Sequence, residues 1–212
     1  MRFEEFLKQA RGLPVVDAEL LLAGIARPAS IRVQLSRWCK CGKLIKLKNN
    51  IYLLAESFRK VDIYEPHIAS VLKRPSYISL EKAFEYHGLI PEAVPVYTCV
   101  TTKRPQEFVT PIGRFDYRHI KTGLFWGYHS TVVNKQQAFI ASPEKALLDF
   151  FYLKGPRVDN DYLDEMRLQN FNKISAARLL EFAKKFETPG ILKAALLIKQ
   201  YAAKRKKKEK RL

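Results

Sequence analysis

The chain has 212 residues, 47% hydrophobic and 12% aromatic, enough apolar material for a buried core, which excludes wholesale disorder. Its 38 Lys and Arg against 21 Asp and Glu leave a formal net charge of +17, and three cysteines are too few and oddly numbered for a secreted disulfide scaffold. The start, Met-Arg-Phe-Glu-Glu-Phe, is no apolar leader, and no run nears the ~18–20 apolar residues that span a bilayer, so a soluble, cytoplasmic protein with polyanionic partners and no membrane contact is expected.

Phe3, Phe6, Leu7 and Ala10 recur at i, i+3, i+4 and i+7, which predicts an amphipathic first helix ended by Gly12 and Pro14. Residues 17–23 read as a second short helix, with Asp17 as N-cap or first-turn acid and Gly24 as its stop. Pro28 opens a third, with Ile31, Leu35 and Trp38 as its buried stripe. At about 100° per residue, the opposite face carries Ser30, Val33, Ser36, Arg37 and Lys40, with Arg32 on its flank. Small, polar and basic, that face can lie in a major groove and offer donors to bases and phosphates.

Cys41-Gly42 breaks this helix. Leu44, Ile45 and Leu47, then Ile51, Tyr52, Leu53 and Leu54, flank Lys48-Asn49-Asn50, and asparagine tolerates positive φ, so a β-hairpin is predicted. Lys43, Lys46 and Lys48 alternate along its first strand and are expected at one edge, where with Asn49 and Asn50 they would meet phosphates or the minor groove. Three helices and a basic hairpin make a winged helix-turn-helix, whose third helix reads DNA. A protein-contact module is the alternative, but twelve Lys or Arg against five Asp or Glu in residues 1–60 favour DNA.

Residues 57–66 are polar and aperiodic, so the boundary is placed there: a DNA-binding domain at 1–60, a second domain at 67–203 and a basic tail at 204–212. Pro66 and Pro75 punctuate the entry. Ser79 then caps a helix bearing Leu80, Ala83 and Phe84, which His87-Gly88 ends. Strands are expected around Val94–Val100, Phe108-Val109, Phe115–Ile120, residues 124–128 and residues 138–140. Ser142-Pro143-Glu144 opens a helix with cap, proline and first-turn acid. Leu179, Phe182, Ala183 and Phe186 fit a further stripe, and Thr188-Pro189 starts a last helix using Ile191, Ala195 and Ile198. The fold class expected is α+β: a winged helix-turn-helix followed by a small sheet packed by helices.

No catalytic, metal or cofactor site is predicted. Cys39-x-Cys41 with Cys99 is a poor zinc pattern, and the four histidines lack ligand spacing. No phosphate-binding glycine loop or nucleophile elbow occurs. Lys145 and Asp149 are i, i+4 and should form an ordinary helix ion pair, with Glu144 favouring the helix dipole. A nuclease-like enzyme using Glu144 and Asp149, delivered by the winged helix, is the alternative function.

Ser76-Tyr77-Ile78-Ser79-Leu80-Glu81-Lys82-Ala83-Phe84-Glu85-Tyr86-His87-Gly88-Leu89-Ile90, with Ser142-Pro143-Glu144-Lys145-Ala146-Leu147-Leu148-Asp149 downstream, resembles the abortive-infection antitoxin family of type IV toxin–antitoxin systems, the AbiE and AbiG regulators. Gly42-Lys43-Leu44-Ile45 and Ile51-Tyr52-Leu53 are similar to that family's wing, although Lys48-Asn49-Asn50 replaces the glycine common at its tip. The resemblance covers roughly residues 3–155. It implies a bacterial phage-resistance regulator that binds double-stranded operator repeats upstream of its own operon, represses that operon, and counteracts a cognate nucleotidyltransferase-like toxin, directly or indirectly.

Overall fold

The computed structural model describes residues 1–22, 28–155 and 158–209. The expected end of the second helix at Ala23 and Gly24 lies outside the described residues, as do Lys210, Arg211 and Leu212 of the tail.

The N-terminal part runs α1 (Phe3–Ala10), β1 (Val16–Asp17), α2 (Ala18–Leu22), α3 (Pro28–Lys40) and a hairpin of β2 (Leu44–Lys48) and β3 (Ile51–Leu54). Phe3, Phe6 and Ala10 are buried, as their spacing predicts. Asp17 Oδ1 accepts from the Glu19 N–H at 2.9 Å, so it caps the start of α2. Strand β1 is unforeseen, being too short to show a period. It pairs antiparallel with β3, Val16 opposite Tyr52, and gives the sheet order β1-β3-β2.

The hairpin turns at Asn49-Asn50, where Asn50 has φ 64°. Its first strand does not alternate cleanly: the register shifts between Lys46 and Lys48, leaving Leu47 as the extra residue of a bulge. The expected single edge of lysines is therefore corrected, because the bulge turns Lys48 away from the direction of Lys46.

Alternation holds in β3 and divides the hairpin between two cores. Tyr52 and Leu54 join Phe3, Phe6, Ile31, Leu35 and Leu44 in an N-terminal cluster. Ile51 and Leu53, with Leu47, join the larger cluster that holds Ile68 and Leu72. Those two belong to α4 (Glu65–Leu72), a helix the sequence reading missed. Pro66 opens this helix rather than breaking the chain, because at a helix start proline gives up only an N–H that has no partner there.

The rest is a mixed α+β arrangement: β4 (Ser76–Ile78), α5 (Leu80–His87), β5 (Val96–Thr101), β6 (Gln106–Thr110), β7 (Gly113–His119), β8 (Tyr128–Val133), β9 (Gln136–Ala141), α6 (Pro143–Lys154), α7 (Asn160–Glu165), α8 (Ala176–Lys185) and α9 (Pro189–Glu209). Among the described residues its sheet has six strands ordered β6-β7-β5-β4-β9-β8, with β5/β7 and β4/β9 parallel. Buried Gln136 ties the preceding connection to β9, donating to the Asp62 carbonyl at 2.8 Å and accepting from the Tyr64 N–H at 3.1 Å.

The strand expected at 124–128 is not one. Thr122–Leu124 forms a short 3₁₀ turn, Gly127 has φ +77°, and β8 begins at Tyr128. The apolar run packs instead of pairing, with Phe125 on Tyr77 at 5.0 Å and Trp126 on Phe182 at 4.9 Å. Gly88 ends α5 in the left-handed conformation and Ser142 Oγ caps α6. Helix α8 buries Leu179 and Ala183 of its expected stripe, with Phe182 half-buried and Phe186 buried just past its end, and α9 buries Ile191, Ala195 and Ile198. Helix α9 carries the first tail residues to Glu209.

Candidate nucleic-acid interface

Aromatic packing sets the rotation of α3. Trp38 meets Phe3 edge-on with centroids 5.2 Å apart and lies 4.9 Å from Phe6, while Ile31 and Leu35 are buried beside them. Holding this stripe against α1 leaves Ser30, Arg32, Val33, Ser36, Arg37 and Lys40 exposed.

The hairpin residues have different fates. Lys46 and Asn49 are exposed. Lys43 is half-buried, its ammonium 4.4 Å from the centroid of the Phe3 ring. Lys48 donates to the Leu72 carbonyl at 2.7 Å. Burial pushes the Lys48 ammonium below its ordinary pKa, against the pull of Asp17. Asn50 donates to Glu19 Oε1 at 2.8 Å, and its carbonyl accepts from the Ala18 N–H at 2.7 Å. The structure thus brings α3, Lys46 and Asn49 to the surface and turns Lys48 and Asn50 to internal partners.

A second polar constellation is hidden. Tyr77 and Ser79 hydroxyls donate to Asp149 Oδ2 at 2.9 and 2.8 Å, and Lys145 pairs with the other carboxylate oxygen. The ion pair expected from their i, i+4 spacing is present, and both Lys145 and Asp149 are 0% exposed. The Lys145 ammonium lies 5.0 Å from the Trp126 ring centroid and 4.9 Å from that of Phe186. Burial pushes the Asp149 carboxyl up and the Lys145 ammonium down, while each holds the other toward its charged form. Gly127 is needed here: at φ +77° a Cβ would sit 3.0 Å from Lys145 Cγ.

Ser79 spends its hydroxyl on Asp149 rather than capping α5, which has no side-chain cap. Glu144 is also 0% exposed. Its Oε1 accepts from the Ser175 N–H at 2.7 Å and from Arg178 at 3.0 Å, so it serves the start of α8 as well as its own helix. The signal for this burial lies in α6 itself, where Ala146, Leu147 and Leu148 before Asp149 and Phe150 and Phe151 after it put apolar groups on more than one face.

Cys99 is buried in β5 within the larger core, whereas Cys39 packs on the N-terminal one, so the three cysteines do not converge. Among the described residues no cluster of His, Cys, Asp and Glu could hold a metal ion, and no helix is long and apolar enough to cross a membrane. Comparison of the sequence with protein-family models and with curated proteins gives no match.

Proposed function

We propose that this chain is a DNA-binding transcriptional regulator and the antitoxin of a bacterial abortive-infection system, acting in the cytoplasm. The observation that carries the DNA reading is the face of α3. Apart from Val33 its residues are hydroxylated or basic, all are exposed, and the helix is anchored from behind by aromatic packing. Helix, short strand, two helices and a hairpin, in that order, is the plan of a winged helix-turn-helix, with α3 as recognition helix and β2–β3 as wing.

In this reading Ser30, Arg32, Ser36, Arg37 and Lys40 face the major groove. Lys46 and Asn49 meet the backbone or the minor groove, with Lys43 beside them. Lys48 and Asn50 hold the wing in place rather than touch DNA, because their polar groups already have internal partners. Repression of its own operon through upstream repeats, and control of a nucleotidyltransferase-like toxin, rest on the resemblance of residues 76–90 and 142–149 to the abortive-infection antitoxins.

A gel shift with duplex from upstream of the gene, competed with random duplex at fixed salt, tests the first part. Preferential retention of the upstream duplex is expected; equal competition overturns it. Co-expression with the neighbouring reading frame tests the second: growth should be restored by this chain and not by an empty vector. Glu144 and Asp149, the residues a nuclease would use, are buried and hydrogen-bonded within the fold, which weighs against that alternative.

A further inference from the structure

Val33 stands in the middle of the exposed face of α3. At about 100° per residue, Ala29, Ser36 and Lys40 lie to one side of it and Ser30 and Arg37 to the other. The remaining large apolar groups of α3, Ile31, Leu35 and Trp38, turn inward, yet Val33 is 52% exposed. Ala29, one turn earlier, is exposed too. The two make a short strip of methyl groups bordered by hydroxyls and cations.

A lone exposed valine needs no explanation. This one has a particular position: with α3 in a major groove, Val33 points at the base edges beside Arg37, while Arg32 on the flank reaches toward a wall. Its branched side chain is stiff in a helix, so its methyls have a set direction. It can neither donate nor accept a hydrogen bond. The major groove offers one apolar group to match it, the C5-methyl of thymine. Cytosine in the same place has no methyl to receive it.

We infer that Val33 reads a thymine methyl, so that the recognised sequence carries an A·T pair where α3 lies deepest. The inference rests on the DNA-binding reading above. It makes Val33 a second specificity residue beside Arg37.

The test uses the full chain and a duplex that it enriches from a random-sequence pool, rebuilt with uracil for thymine one position at a time. Uracil keeps every hydrogen-bonding edge of thymine and lacks only the methyl. At one position the wild-type chain should bind the uracil duplex about fourfold more weakly, the effect of one methyl group withdrawn from water. Val33→Ala, a surface change whose folding is checked by its Tm, should bind the two duplexes equally. If the wild type is indifferent to uracil everywhere, or Val33→Ala keeps the same preference, the inference is wrong while DNA binding stands. If no sequence is enriched over random duplex, the DNA-binding reading falls as well.

Discussion

Lys48 donates its ammonium to the Leu72 carbonyl at 2.7 Å, tying the turn end of the N-terminal hairpin to the last residue of α4. A helix leaves its final carbonyls without internal partners, and its C-terminal end favours a cation. The contact joins two parts of the chain that sequence spacing alone assigns to separate domains. Ile51 and Leu53 reinforce it by entering the larger core.

Lys48→Ala should therefore act on stability. Leaving the carbonyl without its donor should cost about 1–3 kcal/mol, read as a lower urea midpoint at unchanged slope. The salt dependence of DNA binding should stay as in the wild type. A salt slope reduced by about one unit would instead place Lys48 on a phosphate.

Arg37→Ala should weaken binding to the selected duplex by about 1–3 kcal/mol and relax specificity at one position, as expected of a side chain that reads a base. Lys46→Ala should lower affinity for all duplexes alike and flatten the salt slope by about one unit. Titrations of both variants at several salt concentrations separate these outcomes. Arg37→Ala with unchanged affinity would show that α3 docks in another orientation.

Lys145→Met should destabilise the protein by about 3–5 kcal/mol, because it strands a buried carboxylate. Adding Asp149→Asn should recover part of the loss: the amide oxygen still accepts from Ser79 and Tyr77, and no charge remains. Urea unfolding measures both. A loss below ~1 kcal/mol for Lys145→Met, the scale of an exposed pair, would contradict the burial of this cluster.

His87 makes stability depend on pH. Burial holds its imidazole below the ordinary pKa, against its hydrogen bond to the Ala141 carbonyl, with His129 and Lys173 adding to the depression. The unfolded chain takes up this proton near pH ~6.5, and the folded chain only at lower pH. Between the two, the unfolded state binds more protons, so stability should fall as pH drops through that window and level off below the folded pKa. His87→Gln should remove this contribution, seen as a shallower loss of urea midpoint on acidification. Identical slopes for wild type and variant would take His87 out of the effect.

Local rules sufficed for elements long enough to show a period. The stripes of α1, α3, α8 and α9, the Asn49-Asn50 turn, and the cap of α6 at Ser142 could be read from spacing and turn chemistry. Strands β1 and β4 have two and three residues, too few to show one. Helix α4 was hidden behind a proline that helix starts tolerate.

What the sequence determined by itself was the α+β character, the sided third helix and the charge gathered in residues 1–60, all local or compositional properties. The fate of each charge was decided only by tertiary structure. Lys46 and Lys48 are two residues apart, yet one is exposed and the other is drawn to Leu72, because a bulge at Leu47 intervenes and α4 covers one face of the hairpin. Lys145 and Asp149 have the spacing of a common surface pair, and long-range packing by Tyr77, Ser79, Trp126 and Phe186 seals them inside. Spacing along a helix says which side chains meet; whether water meets them too depends on what the rest of the chain lays over that face.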